Sequence, residues 1–247
     1  MASLNGVNLK LGRAEEHLDA IDAEIGRYIK SHPYIPVREY HPEPSRPDVV
    51  GLRIIEAPRP ELALTVGDYL YNVRSALDHL AWQLVIANNG EPTNRTEFPI
   101  FKDSRTYENR VGEKVSGMHP MAAAFIEGLQ PYNRRDGSLD HPLWLLHDLC
   151  NIDKHQTTLL AGTWVSEAIE FRLNLPSHAD AQVFFFPLDR HLPPDQVEMY
   201  AERALQVTLA EPERLRDRPI VGLLQQSLDF VRKTVLPGLT PFVNERP

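Results

Sequence analysis

Apolar residues recur every three to four positions over most of this chain, but every two positions within residues 164–209, and the order of these periods constrains the fold. Leu11, Ala14, Leu18, Ile21, Ile25 and Tyr28 mark an amphipathic helix over about residues 8–29. Pro33, Pro36, Pro42, Pro44 and Pro47 then break helical continuity, while Tyr34, Ile35 and the stretch 49–55 favour a two-stranded ribbon. A long helix is expected from about Glu61 to the Asn88-Asn89-Gly90 stop, with Tyr69, Val73, Leu77, Leu80 and Leu84 on one broad face. Residues 91–103 read as a loop containing an extended Phe98-Pro99-Ile100-Phe101 piece, and a helix follows around 121–129.

Pro142 suits a first helical position, so another helix is expected over about residues 141–160, stopped by Gly162. Alternation of Ile169, Phe171, Leu173 and Leu175 with polar residues then predicts antiparallel strands. A last helix, about residues 220–236, should end before Pro237-Gly238. Helices and strands do not alternate as a parallel sheet requires. The expected fold is α+β, a bundle of four to five helices with an appended antiparallel sheet or ribbon. The 247 residues are read as a single domain, with its helical core at about 8–160 and 219–237 and β-rich insertions at about 33–57 and 163–210.

The formal charge of -8 argues against bulk DNA binding, because such affinity rests on many Lys and Arg residues neutralising phosphates. Cys150 is the only cysteine, which excludes an intrachain disulfide and a cysteine-rich zinc site. No basic segment followed by an apolar run opens the chain, and no stretch reaches the roughly 20 apolar residues of a membrane span. A cytoplasmic protein with no membrane association is expected. The phosphate-cradling Gly-x-x-x-x-Gly-Lys loop, Gly-x-Gly-x-x-Gly, Gly-x-Ser-x-Gly and His-Glu-x-x-His are all missing, so standard nucleotide-binding and hydrolase readings lack support. No cofactor is expected.

Chemistry is concentrated in two polar clusters within otherwise apolar helices. The first holds Asp68, Asn72, Arg74, Ser75, Asp78 and His79. Arg74 and His79, separated by four residues, resemble the motif of the HEPN superfamily of small helical-bundle proteins. The nuclease members of that superfamily carry such an Arg and His in a helix and cleave RNA without a metal across a dimer interface. The resemblance implies a metal-independent endoribonuclease of a toxin or defence type, acting as a homodimer on RNA. Catalysis would fall to His79 as acid or base and Arg74 as phosphate clamp, with Asp78 one turn away positioning the arginine.

The second cluster places His147, Asn151 and His155 one turn apart, with Asp148, Asp153 and Lys154 beside them. Its Asn151-Ile-Asp153-Lys154-His155 run, with Leu77-Asp78-His79-Leu80, Phe98-Pro99-Ile100 and Leu129-Gln-Pro-Tyr132, resembles a widespread group of uncharacterised bacterial proteins. That likeness spans most of residues 61–160, brings no assigned activity and implies that the two polar helices belong together. Asn72, Ser75, Asn151, Asp153, Lys154 and His155 are therefore the candidate substrate-binding residues. Two other readings use the same side chains. A non-catalytic binding or interaction protein would use them as a structural hydrogen-bond network or small-ligand pocket. A metal-dependent enzyme would draw His79 and His155 together with Asp68, Asp148 or Asp153. Trp82 and Trp144 flank the clusters, where a ring can stack a base or simply fill the core.

Overall fold

The computed structural model of the chain describes residues 1–39, 49–134, 138–155, 161–165, 169–175, 178–186, 205–209 and 212–244. The architecture is α+β. In chain order the elements are α1 (Asn5–Lys30), β1 (Tyr34–Glu39), β2 (Val49–Ile54), α2 (Pro60–Ala87), α3 (Ser104–Lys114), α4 (Pro120–Gly128), α5 (Pro142–His155), β3 (Ala161–Val165), β4 (Ile169–Leu175), β5 (His178–Phe186), β6 (Leu205–Leu209), α6 (Ile220–Phe230), a π-helical turn (Val231–Val235) and α7 (Leu236–Asn244). Among the described residues no helix is long and apolar enough to cross a membrane.

The chain divides into two compact units. The first comprises Met1–Ala20, Leu64–Leu159 and Val221–Pro247; the second comprises Ile21–Ala63 and Leu160–Ile220. The first unit is helical. Its interior is filled by Leu11 and Leu18 of α1, Val73, Leu77, Leu80 and Leu84 of α2, Ile126 of α4, Leu146 and Leu149 of α5, and Leu224 and Leu228 of α6. The buried Tyr69 hydroxyl donates to the Leu224 carbonyl at 2.6 Å, which satisfies a polar group that would otherwise be orphaned in the core. Removal from water also raises the pKa of that phenol.

In the second unit β1, β2, β5 and β4 form one antiparallel sheet in that order, and β3 pairs with β6 in a two-stranded sheet. The expected ribbon is present as β1–β2, with Tyr34 opposite Ile54, but it is not separate from the later strands. Val50 pairs with Phe186 and Leu52 with Phe184, a register set by residues more than 130 positions apart that no local pattern encodes. The Tyr28 hydroxyl donates to the Glu56 carbonyl and lies 2.7 Å from Thr163 Oγ1, fixing the end of α1 within this unit.

Two expectations are corrected, and one helix appears where none was expected. Gly162 does not stop a helix: α5 ends at His155, the expected continuation to residue 160 lies outside the described residues, and Gly162 sits within β3 opposite Thr208. Ser104–Lys114, for which no element was expected, is helical, started by the Asp103 side chain accepting from the Thr106 N–H at 2.8 Å. Helix also continues through Pro237-Gly238. The π-helical turn shifts bonding so that the Leu236 N–H reaches the Val231 carbonyl, and the chain enters α7 where a proline lacks an N–H to donate.

Candidate functional site

Arg74 lies on α2 with Asp78 one turn later. Its Nε donates to Asp78 Oδ2 at 3.2 Å and its Nη2 to Asp78 Oδ1 at 2.6 Å, a bidentate pair. Nη2 also donates to the Phe98 carbonyl at 2.7 Å, while the Phe98 N–H donates to Asp78 Oδ1 at 3.0 Å. The ion pair therefore clamps the segment after α2. Gln130, only 1% exposed, holds the other end of that segment: its Oε1 accepts from the Phe101 N–H, and its Nε2 donates to the Pro99 and Ile126 carbonyls. The Phe98-to-Phe101 piece is thus fixed by side chains rather than by a sheet.

This fixed segment, α3 and α5 enclose a cavity of about 480 Å³, with Arg74 and Asp78 of α2 in its wall. From α3 come Thr106, Arg110 and Lys114; from α5 come Trp144, His147, Cys150, Asn151 and Lys154. Lys114 is paired with Glu97, and burial together with the neighbouring Arg74 guanidinium lowers its pKa. The Lys102 ammonium lies 5.4 Å from the centroid of the Trp144 ring, within cation–π range. Five cations (Arg74, Lys102, Arg110, Lys114, Lys154) face three carboxylates (Asp78, Glu97, Asp103), so the lining carries two net positive charges in a chain of formal charge -8.

Arg74 and Trp144, which both line the cavity, each carry a buried donor with no hydrogen-bond partner among the described residues, Nη1 and Nε1 respectively. Arg74 is only 9% exposed. Buried N–H groups left unpaired carry a desolvation penalty of about 1–3 kcal/mol each, more for a charged group. A ligand acceptor removes that penalty.

The remaining polar groups are quieter. Burial, then the Arg74 charge, lowers the His147 pKa to about 4, so the ring is neutral near pH 7. Asn151 Nδ2 lies 3.0 Å from His147 Nε2, which makes that nitrogen the acceptor and leaves the ring proton on Nδ1. Burial pushes the Cys150 thiol up to about 12, so it stays protonated and is a poor nucleophile.

Of the nine sequence candidates, the fold brings Arg74, Asp78, Asn151 and Lys154 to this cavity. The other five do not line it. His79 is exposed, five residues and hence about 140° around α2 from Arg74, and its Nδ1 faces α1, where a Cβ on Gly6 would approach to 3.0 Å. Asn72 donates to the Asp68 carbonyl at 2.8 Å within its own helix, and Ser75 is half-buried beside it. The Asp153 carboxylate lies against Gly67, where a Cβ would come within 2.8 Å of Oδ2; burial and then Asp68 raise its pKa. His155 is exposed in the last turn of α5. Among the described residues no group of three or more His, Cys, Asp or Glu is placed to share a metal ion, so the expected His79–His155 metal set does not assemble there.

Sequence reasoning missed the contribution of α3. Lys102, Thr106, Arg110 and Lys114 recur every four residues, a polar helical stripe that carried the signal, but the segment 104–114 has so little apolar character that no element was expected there. Compared with protein-family models, curated proteins and solved structures, the chain matches none, so its functional reading rests on the geometry of this cavity.

Proposed function

We propose that the chain is a binding module for a small anionic ligand, held in the cavity between α2, α3 and α5. The observation that carries this reading is the pair of unpartnered buried donors, Arg74 Nη1 and Trp144 Nε1, in a lining of net positive charge. Its size falls in the range of small-molecule sites. Binding is favoured over chemistry because the side chains beside these donors are poorly suited to it: the Cys150 thiol is protonated, and His147 Nε2 is already engaged by Asn151. Calorimetric titration with inorganic phosphate and with sulfate tests it. Heat of binding in wild type that disappears in Arg74→Lys, which keeps the charge but loses the fork, is expected. Binding unchanged in that variant would place the site elsewhere.

An endoribonuclease acting as a homodimer on RNA is a second reading, favoured by one observation. Asp78 holds the Arg74 guanidinium rigidly with Nη1 left over, as a phosphate clamp requires. In that reading His79 would act on a phosphate held by another copy. Cleavage of mixed RNA in EDTA by wild type but not by the Arg74→Ala/His79→Ala double variant, leaving 2′,3′-cyclic phosphate ends, would put this reading ahead of simple binding.

A further inference from the structure

We infer that the ligand is an organic phosphate monoester, its dianionic phosphoryl group seated between Arg74 Nη1 and Trp144 Nε1; this rests on the anion-binding reading. The hydrogen-bond balance at the buried wall comes first. Asp78 Oδ1 already accepts from Arg74 Nη2 and the Phe98 N–H, and Oδ2 accepts from Arg74 Nε. His147 Nε2 is taken by Asn151, and the Phe98 carbonyl by Arg74 Nη2. Each of these acceptors thus already takes at least one hydrogen bond, while two donors have no partner among the described residues. A hydroxyl, an amine or a protonated acid would bring a further donor to a wall that already has two in surplus. A fully ionised oxyanion brings acceptors alone.

Charge then separates the oxyanions. The lining carries two net positive charges, and Arg110 has no ion pair among the described residues. A carboxylate or a phosphodiester supplies one negative charge, whereas a phosphate monoester supplies about 1.5 to 2 at pH 7. Volume adds the last element. A cavity of about 480 Å³ exceeds what bare phosphate fills, and Phe98, Ile100 and Phe101 give it an apolar wall for a carbon body.

The test compares phenyl phosphate, benzoate and inorganic phosphate by calorimetry on the full chain. Phenyl phosphate should bind at least about 10-fold more tightly than benzoate, the preference expected from its second negative charge against the net positive lining. Its affinity should rise between pH 5.5 and 7.5 as the second proton leaves near pH 6, while that of benzoate stays level. Trp144→Phe removes the indole N–H and should weaken phenyl phosphate about 10-fold. Arg110→Gln, at an exposed position that leaves folding intact, should weaken phenyl phosphate more than benzoate. Benzoate binding as tightly as phenyl phosphate, phenyl phosphate unaffected by Trp144→Phe, or a preference unaltered in Arg110→Gln would overturn the phosphoryl seat and leave the anion cavity standing. No binding of any of the three probes would overturn the anion-binding reading itself.

Discussion

His119-Pro120 and His141-Pro142 open α4 and α5 in the same way. In each, the imidazole Nδ1 accepts the N–H two residues on, at 3.2 Å, in the role usually filled by Ser or Asp, and the proline occupies the first helical position where its missing N–H is no loss. Such a cap works only while the ring is neutral. Burial, then Arg134, lowers the His141 pKa to about 4, and His147 is lowered equally. Because both folded values lie below the unfolded value of about 6.5, the unfolded chain binds the protons first on acidification. Stability contributed above about pH 6.5 is therefore lost progressively down to about pH 4, with the raised Asp153 pKa working in the opposite direction. Urea denaturation at stepped pH should reveal this slope, and His141→Asn, which caps without titrating, should flatten it. Gln130 offers a second residue-scale test. Gln130→Leu strips partners from the Phe101 N–H and the Pro99 carbonyl and is expected to destabilise by about 2–4 kcal/mol in urea melts. Arg74 and Asp78 were legible as an ion pair from their one-turn spacing; that Nη1 would be left over was not, because that depends on Phe98 arriving from 24 residues away.

At the scale of elements, helices with a strong apolar stripe were legible and those without one were not. α1 was expected over 8–29 and spans Asn5–Lys30; α2 was expected from about Glu61 and spans Pro60–Ala87. α3 escaped because Tyr107 is its one buried side chain, and an edge-on contact with Tyr132 and Phe101 stands in for an apolar face. The end of α6 was misjudged for a different reason. Gly238 is read locally as a helix stop, yet here it makes room: a Cβ would lie 2.1 Å from Cζ of Phe125 on α4. Gly238→Ala is accordingly expected to destabilise by about 1–3 kcal/mol, and Phe125→Leu in the same chain should restore part of the loss in a double-mutant cycle followed by thermal melting.

At the scale of the whole molecule, the helical unit is assembled from three stretches of chain, so its core depends on segments far apart in sequence. Leu224, Leu228, Val231 and Val235 are buried, and the Tyr69 hydroxyl reaches the Leu224 carbonyl from α2. A chain ending at residue 220 should therefore lose its cooperative melt by circular dichroism rather than merely shift it. The sequence by itself determined the helical and strand periods, their order and hence the α+β class, because burial of one face imprints a period of 3.6 or 2 on neighbouring residues. It also determined where charge concentrates. Only the tertiary structure decided which charges meet: Arg74 and His79 share a motif yet diverge by about 140° on one helix, while Lys114, forty residues from Arg74, turns into the same cavity. The physical reason is that a helix fixes the directions of near neighbours locally, whereas packing of α2, α3 and α5 selects among directions that no local pattern records.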